Sequence, residues 1–136
     1  MIRVIDASVA VKWFLNESDS GPAREILREI GDTPRAFAVP ELFYYEVYAV
    51  CMREHPKPEL FAEKGMPILF NVPCTRVPMT NDLAMQGAAF VAAGLTGYDA
   101  VYAALTKQLE GIWITYDKAA AKRLGMPKWI RVLNAY

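Results

Sequence analysis

Short apolar runs of strand length recur along this chain as "IRVID", "RAFAV", "CTRVP", "IWIT" and "WIRVL", with segments of helical period between them. That alternation constrains the fold more than any other feature. Strands separated by helices are joined by right-handed crossovers rather than tight turns, which gives a parallel sheet with helices on both faces. The expected class is α/β. Ligands of such sheets bind beyond the carboxyl ends of the strands, so polar residues at those ends are the first place to look for function.

Local signals place the helices. "SVAVKWFL" follows the first strand directly, with Ser8 at its start, and "SDSGPAREILREIG" has Ser20 as a cap, Pro22 in the first turn and Gly31 as a stop. "PELFYYEVYAVCMRE" reads as a strongly apolar helix with Pro40 in its first turn, and "KPELFAEKGMPILFN" as a helix broken near Gly65 and Pro67. "TNDLAMQGAAFVAAGL", "TGYDAVYAALTKQLEG" and "DKAAAKRLG" follow, the last ended by Gly125.

At 136 residues, 54% hydrophobic, the chain suits one domain, 1–136, with a core of its own. The apolar runs are shorter than the roughly 20 residues of a membrane span and no signal peptide is evident, so a soluble, cytoplasmic protein is expected. Cys51 and Cys74 are spaced neither as a redox pair nor as a zinc knuckle, and read as buried thiols. The formal net charge of zero argues against bulk electrostatic coating of nucleic acid. Charge is unevenly spread, however. From Asp117 onward, Lys118, Lys122, Arg123, Lys128 and Arg131 face one acid, a local +4 that suits either a polyanionic substrate or a solvated helix face.

Four carboxylates are out of keeping with their surroundings. Asp6 and Asp117 follow strand candidates, Glu46 interrupts the apolar face of "LFYYEVYAV", and Asp99 opens an apolar helix. Helix capping is a rival explanation for three of them: Asp6 and Asp117 fit N-cap positions, and Thr96 with Asp99 fits the capping box. Glu46 caps nothing, and an acid on a buried helix face requires a buried arginine or a cation.

Taken together, clustered carboxylates repel unless a cation neutralises them. Oxygen-only donors suit magnesium, whereas zinc usually takes His or Cys. The single histidine, His55, lies in "REHPKP", read as a surface turn. No Ser/His/acid triad and no phosphate-cradling glycine loop is present.

"VIDASVAVKWF", "PELFYYEV", "TGYDAVYAAL" and "ITYDKAAAKRLG", in this order and spacing, resemble the PIN-domain family, particularly its VapC-type toxin ribonucleases. The resemblance covers essentially the whole chain. It implies a three-layer α/β/α domain whose acids Asp6, Glu46, Asp99 and Asp117 bind Mg2+ or Mn2+ and cut RNA with a metal-activated water, leaving a 5′-phosphate and a 3′-hydroxyl. Ser8 and Thr115 fall where relatives carry supporting hydroxyls. Lys12, Lys118, Lys122 and Arg123 are candidates to hold RNA phosphates. Tyr48 departs from the small or amide residue of many relatives. The resemblance also implies a bacterial or archaeal source, a homodimer, and a small VapB-type antitoxin whose tail covers an apolar groove, for which "LFYYEVY" is the candidate.

Two other readings compete. A phosphoacceptor-aspartate protein would need a second acid beside Asp6, where this chain has Ala7 and Ser8. A non-catalytic PIN-like module that binds RNA or protein is the alternative that four intact acids disfavour.

Overall fold

The computed structural model describes residues 1–133. Its elements run β1 (Arg3–Ile5), α1 (Ala7–Phe14), α2 (Gly21–Asp32), β2 (Phe37–Pro40), α3 (Leu42–Glu54), α4 (Pro58–Leu60), a π turn (Phe61–Gly65), α5 (Met66–Asn71), β3 (Thr75–Val77), α6 (Asn81–Ala92), α7 (Gly97–Gln108), β4 (Ile112–Thr115), α8 (Lys118–Arg123) and β5 (Ile130–Val132). The strands form one sheet in the order β3-β2-β1-β4-β5, and every pairing is parallel. Helices pack on it in a three-layer α/β/α arrangement, α7 lying across β1, β2 and β4 while α1 and α3 pack together against β4 and β2.

Burial follows the layering. All of β2 is buried, as are Val4 and Ile5 of β1 and Trp113 and Ile114 of β4, whereas the edge strand β3 is largely open to solvent. Such two-sided burial is why these strands read as continuous apolar runs rather than alternating ones. Among the described residues no single helix is long and apolar enough to cross a membrane.

Several local expectations change. The cap of α1 is Asp6, whose Oδ2 accepts from the Ser8 amide at 3.0 Å; the Ser8 hydroxyl is thereby left for other work. Ser20 precedes α2 but forms no side-chain cap bond, its Oγ instead accepting from the Glu17 amide and donating to the Leu15 carbonyl. Gly31 does not stop α2, which runs to Asp32. Pro40 closes β2 opposite Val77 rather than opening α3, and the ladder continues past it through the Glu41 amide to the Val77 carbonyl at 2.9 Å. A terminal strand position tolerates the missing N–H. The expected break near Gly65 and Pro67 is a single π turn between α4 and α5; a side chain at Gly65 would run into the Phe61 ring, 2.5 Å from the nearest ring atom. Gly125 ends α8 at φ +76°, where the absence of Cβ removes the strain. Cys51 is buried and Cys74 half-buried, and both are free thiols.

Candidate active site

Asp6 follows directly on β1 and Asp117 comes two residues after β4, two strands paired in register Val4↔Trp113 and Ile5↔Ile114. From β1 the chain builds outward through β2 and β3, then crosses back to start β4 on the other side of β1. The two acids therefore stand at the topological switch point of the sheet, where a crevice opens beyond the strand ends. Glu46 reaches the same region from one turn into α3, and Asp99 from the first turn of α7.

Capping and site roles prove compatible, because a carboxylate has two oxygens. Asp117 Oδ1 caps α8 by accepting from the Ala120 amide at 3.2 Å, and its other oxygen takes no hydrogen bond among the described residues. Asp6, 8% exposed, accepts from the Ser8 amide on one oxygen and from the Trp113 indole N–H at 3.2 Å on the other. Thr96 caps α7 by accepting from the Asp99 amide at 3.1 Å, but no return bond from the Thr96 amide to the Asp99 carboxylate forms among the described residues. The capping box is only half made: the Asp99 carboxylate faces the Thr96 hydroxyl rather than the Thr96 amide.

Ser8 and Thr115 tie the strand ends together. Ser8 Oγ lies 3.3 Å from Thr115 Oγ1 and accepts from the Tyr116 amide at 3.0 Å, while Thr115 Oγ1 accepts from the Asp117 amide at 2.9 Å. Both hydroxyls thus hold the backbone that carries Asp117.

Electrostatics link all four acids. Burial pushes the Asp6 carboxyl above the usual aspartate range, against its hydrogen bonds to Ser8 and Trp113, and the Asp117 charge adds to the rise. Burial raises Glu46 from 4.5 to about 7, with Asp6 and Asp99 contributing. Asp99 is raised from 3.8 to about 6, first by burial and then by Asp6 and Asp117, while Thr96 and Arg123 oppose the rise. Asp6, Glu46 and Asp99 are thus each made harder to ionise, an effect that a bound cation would reverse.

The donor set fits a hard divalent cation: oxygens only, mutually repelling, with Glu46 Oε1 buried and lacking a hydrogen-bond partner. As the side chains stand, no group of three or more His, Cys, Asp or Glu among the described residues is closed tightly enough to hold one.

Of the expected basic contacts, Lys118, Lys122 and Arg123 are exposed on α8, and the Arg123 charge reaches Asp99. Lys12 is placed differently: its Nζ pairs with Asp19 at 2.8 Å and Glu17 at 3.3 Å in the loop after α1 and lies 5.1 Å from the Tyr116 ring centre. Tyr48 lines an apolar groove with Glu41, Tyr44, Tyr45, Met66 and Phe70. The aromatic stretch is accordingly divided, with Phe43 buried in the core and Tyr45 and Tyr48 exposed. His55 ends α3, its Nδ1 accepting from the Lys57 amide at 2.9 Å.

Two residues beside the acids escape sequence reasoning. Trp113 is fully buried and donates to Asp6; a tryptophan within a buried strand needs an acceptor for its N–H, and that requirement was the available signal. Tyr102 lies three residues after Asp99 on α7, hence on the same helix face, and its buried hydroxyl neighbours Glu46.

The family model for the PIN domain matches residues 3–125. This chain belongs to the PIN domain family. No curated protein matches it significantly in sequence. In three dimensions this PIN domain is similar to a toxin–antitoxin complex from Klebsiella pneumoniae, at TM-score 0.69 and 15% identity over 98% of this chain and 99% of that one. It is similar also to the sarcin-ricin-loop-cleaving toxin VapC20 of Mycobacterium tuberculosis, at TM-score 0.68 and 15% identity over 93% and 97% of the two chains. FitAcB from Neisseria gonorrhoeae gives TM-score 0.64 and 14% identity over 98% of both chains. At these identities the likeness is one of fold.

Proposed function

We propose that this PIN domain is a metal-dependent endoribonuclease of the VapC type, the cytoplasmic toxin of a toxin–antitoxin pair. The observation that carries this reading is the meeting of Asp6, Glu46, Asp99 and Asp117 at the sheet's switch point, each charge acting on another. These acids would hold Mg2+ or Mn2+, which supplies charge neutralisation and a water of lowered pKa for attack on a phosphodiester. The chain's own contribution is placement. Ser8 and Trp113 fix Asp6, Thr115 and the α8 cap fix Asp117, and the exposed Lys118, Lys122 and Arg123 offer charge to the flanking phosphates of a single-stranded or loop RNA.

A homodimer restrained by a small VapB-type antitoxin belongs to the same proposal. The groove lined by Tyr44, Tyr45, Tyr48, Met66 and Phe70, about 420 Å³, offers an apolar seat for the antitoxin's tail. The similarity to a toxin–antitoxin complex and to an RNA-cleaving toxin supports both partners.

The ligand set that is not closed as it stands favours one alternative, a PIN-like module that binds RNA or protein without cutting it. Purified chain incubated with structured RNA in EDTA and then in manganese separates the two. Cleavage only with metal is expected. Equal cutting in excess EDTA removes the metal mechanism, and binding without cutting under every metal condition favours the module.

A further inference from the structure

Two buried side-chain polar atoms lack a hydrogen-bond partner of good geometry among the described residues, Glu46 Oε1 and the Tyr102 hydroxyl, and they belong to neighbouring groups. A buried hydroxyl in that state is destabilising, and native folds keep few of them. Phenylalanine would pack the same ring without it. The ring itself is held fast: Tyr102 is 1% exposed and stacks on Trp113 with centroids 5.9 Å apart and planes 3° from parallel. Trp113 in turn donates its indole N–H to Asp6. One stacked pair beneath the site thus turns one polar tip toward each of two acids, the indole N–H to Asp6 and the phenol to Glu46.

Glu46 also needs holding. Asp6 and Asp117 are fixed by backbone amides, whereas the longer Glu46 side chain accepts no well-formed hydrogen bond among the described residues. We propose that Tyr102 is a positioning residue for Glu46, its hydroxyl, locked by the Trp113 stack, setting the direction in which that carboxylate meets a cation. The inference rests on the reading of the acids as metal ligands. Groups that orient a ligand in this way typically change metal affinity by roughly 10- to 100-fold when removed.

Tyr102→Phe deletes one oxygen and keeps the ring, so the variant is suited to the test. In EDTA it should melt at or above wild type, since the lost atom had no good partner. Calorimetric titration with manganese chloride should show affinity at least roughly 10-fold weaker than wild type. The manganese concentration for half-maximal RNA cleavage should rise in step, with the rate recovering toward wild type at saturating metal. A packing role would not produce that split. Unchanged manganese affinity overturns the positioning role and leaves the nuclease reading intact, and so does a lower melting point in EDTA with a rate that saturating metal does not restore. Wild-type protein that binds no manganese overturns the metal reading first, and this inference with it.

Discussion

Glu46→Gln tests the energetic cost of the acidic pocket. Burial, aided by Asp6 and Asp99, raises Glu46 from 4.5 to about 7, so between those values the folded protein retains a proton that the unfolded chain has released. Stability therefore falls as pH rises from 4.5 to about 7, and the loss is complete above that range. At 1.36 kcal/mol per pH unit the displacement corresponds to ~3 kcal/mol. Glu46 is only partly buried, and solvent screening reduces the expected effect to about 1–2 kcal/mol. Glutamine has nearly the shape of the protonated acid and carries no charge to desolvate. In EDTA at pH 8 the variant should melt about 4–8 °C above wild type, taking about 4 °C per kcal/mol for a chain of this length. Near pH 4.5 the two should converge. Differential scanning calorimetry across pH 4.5–8 makes the comparison, with manganese added in a second series, where wild type should gain and the variant lose most of the gain. A variant that melts at or below wild type at pH 8 in EDTA would show that Glu46 is not a strained buried charge.

Other substitutions separate the roles of neighbouring residues. Asp99→Asn keeps the amide bonded to Thr96 and removes a carboxyl raised to about 6, so it should be as stable as wild type or more so in EDTA and lose the manganese stabilisation; a metal-independent loss of roughly 0.3–1 kcal/mol in thermal melts would return Asp99 to a helix-end role. Lys12→Met breaks the pairs to Asp19 and Glu17 and should lower stability by about 1 kcal/mol while leaving RNA cleavage unchanged; slowed cleavage at equal folded fraction would place Lys12 at the substrate site. Lys122→Ala with Arg123→Ala should weaken RNA binding and reduce the slope of log affinity against log salt by about 0.7 for each phosphate no longer neutralised, read by fluorescence anisotropy; an unchanged slope would place the RNA elsewhere.

Much of this architecture was legible because the three central strands are buried on both faces and several helices carry their own punctuation. "IWIT" and "IRVI" show their apolar continuity openly, and Thr96 and Asp117 do cap the helices they precede. The carboxylates were conspicuous for the same reason, as charges placed where the pattern demanded apolar residues. Features set by the meeting of distant segments stayed hidden. Nothing near Ser8 reveals that its hydroxyl would meet Thr115, 107 residues away. Pro40 satisfies the rule for a first helical turn and the rule for a strand end equally, and only the Val77 pairing decides. Lys12 looked like a free cation because Glu17 and Asp19 fold back onto it through a loop with no periodic pattern. Tyr102 and Trp113 were hidden by their size: both fit a core, and the polar tips matter only once the sheet brings them beneath Asp6 and Glu46.

The most direct measurement is a manganese titration of the metal-free protein in which binding and cleavage of a labelled RNA are followed in the same samples, for wild type and Asp117→Asn. Asp117 Oδ1 caps α8 and an asparagine oxygen can do the same, so the variant should fold as wild type does while lacking one ligand charge. If the acids at the sheet edge form one catalytic metal site, binding and cleavage rise together and saturate at the same manganese concentration in wild type, with 5′-phosphate ends on the products, and both are lost or shifted to much higher metal in the variant. Cleavage at full rate in EDTA, or wild-type cleavage that Asp117→Asn leaves untouched, would contradict it.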